Sequence, residues 1–220
     1  DGDSGRYRQL ETVRQYAAER LDAAGDGPAA RERHCAHYVA LAERARPELL
    51  GPHQAAWLAR LDLDRENLLG ALAFCAGDAQ GGVAGLQLVT ALKHYFYRRG
   101  LLELAQRVMA EALAHPGAQR RDAERSRALF SLGQMCLFAG RYPEARSHLE
   151  ACLAIARETG DTRRVASVLQ PLGAVLSGQG DLASARRCHD EAIVLAQGFG
   201  DQREIAAALN NRAQLHRLEG

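Results

Sequence analysis

Two histidines three residues apart are the first candidates for chemistry in this sequence. His34 and His37 flank Cys35 in a segment with a helical pattern, so both imidazoles would share one helix face and could hold one side of a metal ion. A complete site needs about four ligands, and no second pair accompanies them. The pattern favours an ordinary amphipathic helix with Cys35 inside, and we predict no metal site.

Cys188 and His189 are the second candidates, because a thiol beside an imidazole can act as a nucleophile. Adjacent residues of a helix point about 100° apart, so these two side chains are not expected to meet. Asp190 and Glu191 follow them and indicate a solvated helix face. We predict that neither pair is catalytic.

The sequence lacks the motifs of common catalytic and nucleotide-binding sites. It contains no G-x-x-x-x-G-K-[ST] phosphate loop, no G-x-S-x-G, no H-E-x-x-H and no paired C-x-x-C. An enzyme would also need an acid, base or nucleophile set that converges in one pocket, and none is evident. We predict a protein that is not an enzyme and requires no cofactor.

Charge and hydropathy favour neither nucleic acid nor membrane as a partner. Lys and Arg number 28 and Asp and Glu 27, which gives a net charge of +1. Four arginines lie within residues 120–127, but Asp122 and Glu124 are interleaved with them, which favours an ion-paired exposed helix over a phosphate-binding face. No apolar run approaches the roughly 18–20 residues of a membrane span.

The five cysteines are odd in number and irregular in spacing, and each lies in a helical pattern. They are Cys35, Cys75, Cys136, Cys152 and Cys188. This pattern is typical of cysteines that act as small buried apolar residues in proteins of a reducing compartment. We therefore expect free thiols and a cytoplasmic location.

The elements that carry these residues are best defined from Arg121 to Gly220, where the sequence repeats every 40 residues. The recurring residues are Leu132-Gly133 with Leu172-Gly173, Ala145 with Ala185, Gly140 with Gly180, and Gly160 with Gly200. A fixed period of this length is typical of a solenoid of helix hairpins. In the first full unit we predict helices from Ala123 to Ala139 and from Pro143 to Thr159, each ended by a glycine.

Small residues recur where the two helices of a unit would cross. Gly133 and Ala145 would let the helix axes approach to the short end of about 8–10 Å. Glycine inside a helix costs about 1 kcal/mol relative to alanine, so its recurrence as Gly173 indicates a close contact. Pro171 lies in the same helical pattern and predicts a kink near residues 167–171.

Upstream of the repeats, the pattern predicts a short strand followed by helices. The strand covers residues 6–10. The first predicted helices cover residues 11–24 and 28–46, and Pro47 ends the second of them. Further helices are predicted around Trp57, after the capping residue Asp64, and over residues 83–99 and 101–114. Gly100 lies 40 residues before Gly140, so the repeat phase already runs here. Lys93 replaces the glycine of the first helix, which makes this unit degenerate.

At the recurring residues the chain resembles the tetratricopeptide repeat (TPR). Leu132, Gly133, Ala145 and Leu149 match the pattern of that family, and Leu172, Gly173, Ala185 and Ala192 match it again. His189 departs from the pattern, which expects a large apolar residue there. The resemblance implies an all-α, right-handed α-solenoid of TPR-like hairpins with a period of 40 residues.

A second resemblance lies at the front of the chain. Residues 6–17, and then residues 53–58 with 64–68, resemble the segment that joins a winged-helix module to helical repeats in bacterial STAND-class ATPase regulators related to MalT and AfsR. The resemblance implies a regulatory parent protein of which this chain is a fragment. Residues 1–25 would be the tail of the winged-helix module and residues 26–82 a helical linker of degenerate pairs. Residues 83–220 would hold the repeats 83–120, 121–160, 161–200 and the half repeat 201–220.

The resemblance to TPR proteins also implies a concave groove lined by the first helix of each unit. Its predicted binding residues are His94, Tyr97, Arg98, Arg127, Phe130, Gln134, Phe138, Gln170, Asn210, Gln214 and Arg217. Aromatics, amides and arginines without acids suit an extended peptide. We therefore expect a protein-interaction or sensor scaffold, with a protein, a peptide or another domain of the parent chain as partner. The alternative is a groove that senses a small inducer.

The last helix of the sequence has no second helix behind it. Its apolar residues Ile205, Ala208, Leu209 and Leu215 would then lack a neighbour, and solenoid ends need a cap for solubility. We expect this end to fray or to form a homo-oligomer.

Overall fold

The computed structural model describes residues 11–200 and 202–219, and every regular element in those ranges is a helix. The first half contains α1 (Glu11–Ala23), α2 (Gly27–Glu48), α3 (Gln54–Leu63), α4 (Arg65–Gly77), α5 (Gly82–Ala91) and α6 (Lys93–Arg98). The second half contains α7 (Leu102–Ala114), a 3₁₀ turn (Pro116–Ala118), α8 (Ala123–Phe138), α9 (Tyr142–Glu158), α10 (Thr162–Gly178), α11 (Leu182–Phe199) and α12 (Gln202–Glu219). The strand predicted at residues 6–10 lies outside the described residues.

From α8 onward each helix packs on the next one, and α10 also contacts the helices two positions before and after it. Thus α8 packs on α9, α9 on α10, α10 on α11 and α11 on α12, while α10 also contacts α8 and α12. Such stacking buries one continuous core, which no single hairpin could form alone. The predicted all-α solenoid is confirmed.

The helix ends follow the period of the sequence. Glycines with φ between 66° and 82° follow α6, α8, α9, α10 and α11, at Gly100, Gly140, Gly160, Gly180 and Gly200, whereas α7 ends at Ala114 without one. After α8, the Arg141 N–H donates back to the Cys136 carbonyl at 2.9 Å, as in a Schellman motif. Residues with a Cβ are disfavoured at this φ, so the glycine spacing is the spacing of helix ends.

The predicted glycine contacts are present in both full units. A Cβ added to Gly133 would lie 2.7 Å from Leu149 Cγ, and one added to Gly173 would lie 2.7 Å from His189 Nε2. Gly133 and Gly173 therefore let the second helix of each unit pack directly against the backbone of the first. His189 takes the place that Leu149 occupies one unit earlier.

Two predicted helix boundaries in the first half were wrong. Helix α2 continues through Pro47 to Glu48 instead of ending at Arg46. The predicted helix over residues 83–99 is divided into α5 and α6 at Leu92, whose φ and ψ are −81° and −1°. Leu92, Tyr95 and Phe96 are all buried there, so core packing overrides local helix propensity.

Pro171 does not interrupt its helix, because α10 is continuous from Thr162 to Gly178. The Ser167 carbonyl is the group that would accept the N–H that proline lacks. The Ser167 hydroxyl donates to the Arg163 carbonyl at 2.9 Å, a bond that commonly bends helices. The kink over residues 167–171 stays a prediction.

All five cysteines are free thiols; Cys188 is half-buried and the other four are buried. The Sγ atoms of Cys35 on α2 and Cys75 on α4 lie 3.1 Å apart, so these thiols pack on each other. In the part of the chain that the structure describes, no helix is long and apolar enough to cross a membrane.

Candidate functional site

The candidate site is a cleft where the end of α2 meets the first helices of three successive units. Its volume is about 430 Å³. The lining residues are Glu43, Arg46 and Pro47 from α2, Leu50 just after α2, Thr90 from α5, Lys93 and His94 from α6, Arg127, Phe130 and Ser131 from α8, and Arg164 from α10. The cleft therefore lies between α2 on one side and α5, α6, α8 and α10 on the other.

Seven of the predicted groove residues lie on α6 and α8. His94, Arg127 and Phe130 line the cleft, and Gln134 lies beside it. The rings of Tyr97 and Phe138 lie 4.8 Å apart between centroids and are 43% and 49% exposed. Arg98, which is also exposed, is close enough to His94 to affect the pKa of that imidazole.

The remaining predicted residues lie further along the solenoid. Asn210, Gln214 and Arg217 are exposed on α12 and are not among the residues that line the cleft. Gln170 on α10 accepts a hydrogen bond of 3.2 Å from the amide of Asn211, not of Asn210.

Lys93 lies at the centre of the cleft and was not predicted as a site residue. Its Nζ donates to Gln134 Oε1 at 3.0 Å and lies 5.3 Å from the Phe130 ring centroid. Burial, together with the nearby Arg164 guanidinium, lowers the pKa of Lys93 to about 8. The sequence signal that could have identified Lys93 is its position, which holds glycine in the later units.

Arg164 is the second functional residue that sequence reasoning missed. Its Cζ lies 5.1 Å from the Phe130 centroid, so one ring contacts both a lysine and an arginine. Arg164 belongs to the first turn of α10, far from Lys93 in sequence. Only the stacking of three units brings Lys93, Phe130 and Arg164 together.

Two of the four positively charged side chains that line the cleft have a carboxylate partner among the described residues, and two do not. Arg46 pairs with Glu43 at 3.2 Å, and Arg127 pairs with Glu124 at 2.6 Å. Neither Lys93 nor Arg164 forms an ion pair within the described ranges 11–200 and 202–219.

Two neutral polar groups complete the lining. Burial, and then the positive charges of Lys93 and Arg98, lower the pKa of His94 to about 4, so its imidazole is neutral at pH 7. The Thr90 hydroxyl oxygen is buried and has no hydrogen-bond partner. The cleft thus offers a neutral imidazole and an unused hydroxyl beside two unpaired cations.

The other sequence candidates form structural contacts. His34 and His37 pack against the ring of Tyr38 at centroid distances of 4.7 and 4.9 Å. Over residues 11–200 and 202–219, no group of three or more His, Cys, Asp or Glu side chains could hold a metal ion. His189 is buried against Gly173, and burial raises the pKa of the neighbouring Cys188 thiol.

Several charged side chains outside the cleft form ion pairs. Glu191 accepts from Arg157 at 2.8 Å, and Asp190 lies 3.3 Å from Arg212. In the arginine cluster of residues 120–127, Arg121 pairs with Glu158 at 2.6 Å. The Arg125 guanidinium donates to the backbone carbonyls of Leu113 and Ala118 at 2.9 and 2.7 Å. These contacts agree with an ion-paired helix.

A second cavity of about 270 Å³ lies between α4, α5 and α7. Its wall includes Cys75, Gly82, Arg107, Glu111 and His115. The His115 ring bridges the loops, since Nδ1 accepts from the Gly117 N–H and Nε2 lies 3.0 Å from the Asp78 carbonyl oxygen. Both ring nitrogens are therefore occupied by the backbone.

Comparison with known proteins agrees with the solenoid. The chain matches no protein-family model. A Podosopora anserina protein with nearly identical TPR-like repeats, provisionally named a kinesin light chain, has a TM-score of 0.65 at 15% identity, covering 85% of this chain and 88% of that one. BtubC from P. vanneervenii has a TM-score of 0.50 at 16% identity, covering 86% and 92%. The fold is that of a TPR-like repeat protein.

Curated sequence relatives point to regulators. Proteins of Mycobacterium bovis and Mycobacterium tuberculosis, provisionally named HTH-type transcriptional regulators, are 29% identical over 204 residues, which is 90% of this chain. The chain spans only 23% of the length of these relatives. The similarity therefore extends over most of this chain and leaves the rest of those proteins uncompared.

Proposed function

We propose that this chain is a non-catalytic protein-interaction scaffold, the TPR-like part of a larger bacterial transcriptional regulator. The observation that carries the proposal is the surface shared by α6 and α8, where Tyr97 and Phe138 form an exposed aromatic pair. Exposed aromatics on a rigid scaffold are typical anchors of protein interfaces.

The same surface has the chemistry to bind an extended peptide. The amide side chains of Gln134 and Gln170 can bond with peptide backbone groups, and Arg98 can pair with a carboxylate. The aromatic pair of Tyr97 and Phe138 would receive an apolar side chain of the peptide. The exposed residues Asn210, Gln214 and Arg217 on α12 would extend this surface along the solenoid.

The regulatory context of the proposal comes from two likenesses. Residues 6–17, 53–58 and 64–68 resemble the segment that joins a winged-helix module to helical repeats in STAND-class ATPase regulators, and the mycobacterial relatives carry HTH-type regulator names. In such a parent, a cytoplasmic repeat arm would receive a signal and pass it to the DNA-binding part. This chain would itself make no direct contact with nucleic acid.

A paired capture experiment tests the scaffold role. Residues 1–220 and a Tyr97→Ala/Phe138→Ala variant would each be immobilised and exposed to lysate of the source organism, with retained proteins identified by mass spectrometry. We expect a partner that binds the unchanged chain and is lost from the variant. Its binding segment would then be synthesised as a peptide and titrated against both proteins.

The control removes exposed apolar side chains elsewhere. Leu63 and Val194 are 71% and 66% exposed on α3 and α11, so Leu63→Ala/Val194→Ala changes exposed hydrophobic area outside the groove. This control should retain the partner. Identical captures by all three baits would argue against the α6–α8 surface as the interaction site.

The alternative function is a sensor of a small inducer, and the cleft at the end of α2 favours it. Its volume of about 430 Å³ lies within the usual range of small-ligand sites, about 300–1,000 Å³. A ligand there would contact both the linker region and the repeats, which is the arrangement needed to shift one against the other.

A further inference from the structure

The cleft carries more positive charge than the surrounding chain neutralises. Its arginines Arg46 and Arg127 have carboxylate partners, whereas Lys93 and Arg164 have none among the described residues. Partly buried charges in proteins are normally paired, because losing hydration is costly unless an opposite charge compensates. Two compensating negative charges are missing from the cleft.

The hydrogen-bonding capacity of the same groups is also largely unused. An ammonium has three donors, and Lys93 uses one of them on Gln134. A guanidinium has five donors, and that of Arg164 lies over the face of the Phe130 ring. The buried Thr90 hydroxyl has no partner at all. The Lys93 ammonium and the Arg164 guanidinium therefore carry unused donors at the cleft, and the buried Thr90 hydroxyl is a further unpartnered group of a lining residue.

The shape of the cleft selects a compact occupant. Pro47 and Leu50 at the end of α2 form an apolar wall on one side, with Phe130 also in the lining. An extended peptide needs a channel that continues in both directions, whereas this cleft is bounded by a helix. The volume of about 430 Å³ suits a molecule of metabolite size.

We propose that this cleft is a binding site for a small organic anion with at least two carboxylate or phosphate groups, held by Lys93 and Arg164. The two negative groups restore the missing charge balance. The Thr90 hydroxyl and the neutral His94 ring supply hydrogen bonds that orient the anion, and the carbon skeleton packs on Phe130. Glu43, which also lines the cleft, opposes binding and is partly offset by its pairing with Arg46.

The inference goes beyond the scaffold role because it needs neither the aromatic pair nor a protein partner. An anion in the cleft would contact α2 on one side and α8 and α10 on the other. It would therefore hold the linker region against the repeats in one arrangement. This is the structural basis on which the chain could respond to a metabolite.

Citrate and inorganic phosphate are suitable probes, because one is a tricarboxylate and the other a single small oxyanion. Binding would be measured by isothermal titration calorimetry on residues 1–220 at pH 7, with sodium chloride keeping ionic strength constant. We expect saturable citrate binding that Lys93→Gln or Arg164→Gln weakens tenfold or more. Phosphate should bind more weakly with the same dependence on both residues.

Two further variants make the measurement specific. Arg44 is exposed on the same helix as Arg46 but does not line the cleft, so Arg44→Gln removes one positive charge as a matched control and should bind citrate normally. Glu43→Gln removes the opposing carboxylate and should tighten binding. Circular dichroism would verify that each variant is folded.

The proposal is overturned if no saturable heat appears at roughly 10 mM citrate, where a millimolar site would be occupied. Unchanged affinity in both Lys93→Gln and Arg164→Gln would overturn it as well. Binding of hexaglutamate without citrate or phosphate would contradict the small-anion assignment while leaving the scaffold role intact. Citrate binding should survive Tyr97→Ala/Phe138→Ala, so failure of one proposal is distinguishable from failure of the other.

Discussion

At the scale of single residues, the chain places polar groups where its own repeat pattern calls for apolar ones. His189 occupies the position of Leu149 in the preceding unit and is 2% exposed. Its Nδ1 has no hydrogen-bond partner, and burial lowers the pKa of the imidazole. Lys93 replaces a glycine in the same way. Such departures from the pattern of a fold are expected at functional or strained positions.

We expect His189→Leu to stabilise the chain and reduce its sensitivity to acid. The pKa of folded His189 is below that of an unfolded histidine, about 6.5, so the unfolded state takes up the proton first as pH falls. Stability is therefore lost as pH drops below about 6.5. Leucine removes that loss and an unsatisfied nitrogen, for a gain of about 1–2 kcal/mol at pH 7.

Urea unfolding of both proteins at pH 7 and pH 5 measures this effect. Burial also lowers the pKa values of His94 and His148, so His189→Leu should reduce the pH dependence without abolishing it. The exposed His53, whose side chain is 70% exposed, provides the control His53→Gln. An unchanged difference between pH 7 and pH 5 in His189→Leu would show that this ring does not drive the acid response.

We expect Lys93→Met to raise the melting temperature in the absence of added anions. Lys93 faces Arg164, Arg127 and His94 from the repeats and the Arg46–Glu43 pair from α2, and its pKa falls to about 8 from an ordinary value of about 10.4. Folding thus disfavours its charge below pH 8. This destabilisation is relieved as pH rises from about 8 to 10.4, where the unfolded state binds more protons.

The measurement is a thermal melt of both proteins at pH 7 and pH 9.5. A gain of about 1 kcal/mol would appear as roughly 2–4 °C for a chain of this size. The advantage of Lys93→Met should be smaller at pH 9.5, because the native lysine is then largely neutral. An equal advantage at both pH values would assign the gain to packing alone.

At the scale of helices, the two helices of each hairpin pack closely because a glycine in the first helix has no side chain to separate them. Gly133 and Gly173 both face a side chain of the following helix at distances that exclude a Cβ. Gly198 on α11, in contrast, has open space around it. These positions separate the packing role of glycine from its poor helix propensity.

We predict that the effect of Gly173→Ala on the free energy of unfolding changes sign with the residue at position 189. In the native chain the added methyl would overlap His189, at a cost of about 1–3 kcal/mol that exceeds the gain of about 1 kcal/mol in helix propensity. In a His189→Ala background the overlap is gone, so Gly173→Ala should stabilise by up to about 1 kcal/mol.

A double-mutant cycle in urea tests this reversal. Gly198→Ala serves as the control, because it should stabilise the chain by about 1 kcal/mol in either background. If Gly173→Ala has the same effect with and without His189, then α10 and α11 do not meet as described.

The helices were predictable from sequence to the extent that local signals define them. Gly140 and Gly180 marked helix ends because only backbone conformation is involved there. The interruption at Leu92 had no such signal, since core packing around Tyr95 and Phe96 decides it. Arg164 was missed for a related reason: its partner Phe130 belongs to another unit, and the distance between them depends on how the units stack.

At the scale of the whole molecule, the solenoid is held by its core more than by surface charges. Ion pairs occur within one unit, as between Arg121 and Glu158, and between neighbouring units, as between Arg157 and Glu191. Their side chains are 43–55% exposed, and such exposed pairs contribute little stability. Since the ion pairs contribute little, stability depends on burying the apolar surface of each helix against the helices before and after it.

Helix α12 has such a neighbour on only one side in the polypeptide of residues 1–220. Ala208 and Leu215, expected to be uncovered, are buried against the preceding helices, whereas Leu209 is 48% exposed. A cleft of about 410 Å³ lined by Arg186, Leu209, Arg212 and Leu215 follows this face. An apolar face at a solenoid end favours association with another copy.

We predict that residues 1–220 self-associate through this end, to an extent that increases with protein concentration. Leu209→Glu places a charge on the exposed face without disturbing the buried Ala208 and Leu215, so it should shift the equilibrium to monomer. Sedimentation velocity over a range of concentrations measures both proteins, and Val194→Glu, an exposed substitution on α11, is the control. A monomer at every concentration for the unchanged chain would mean that α12 needs no second copy, because Ala208 and Leu215 already bury most of its apolar surface.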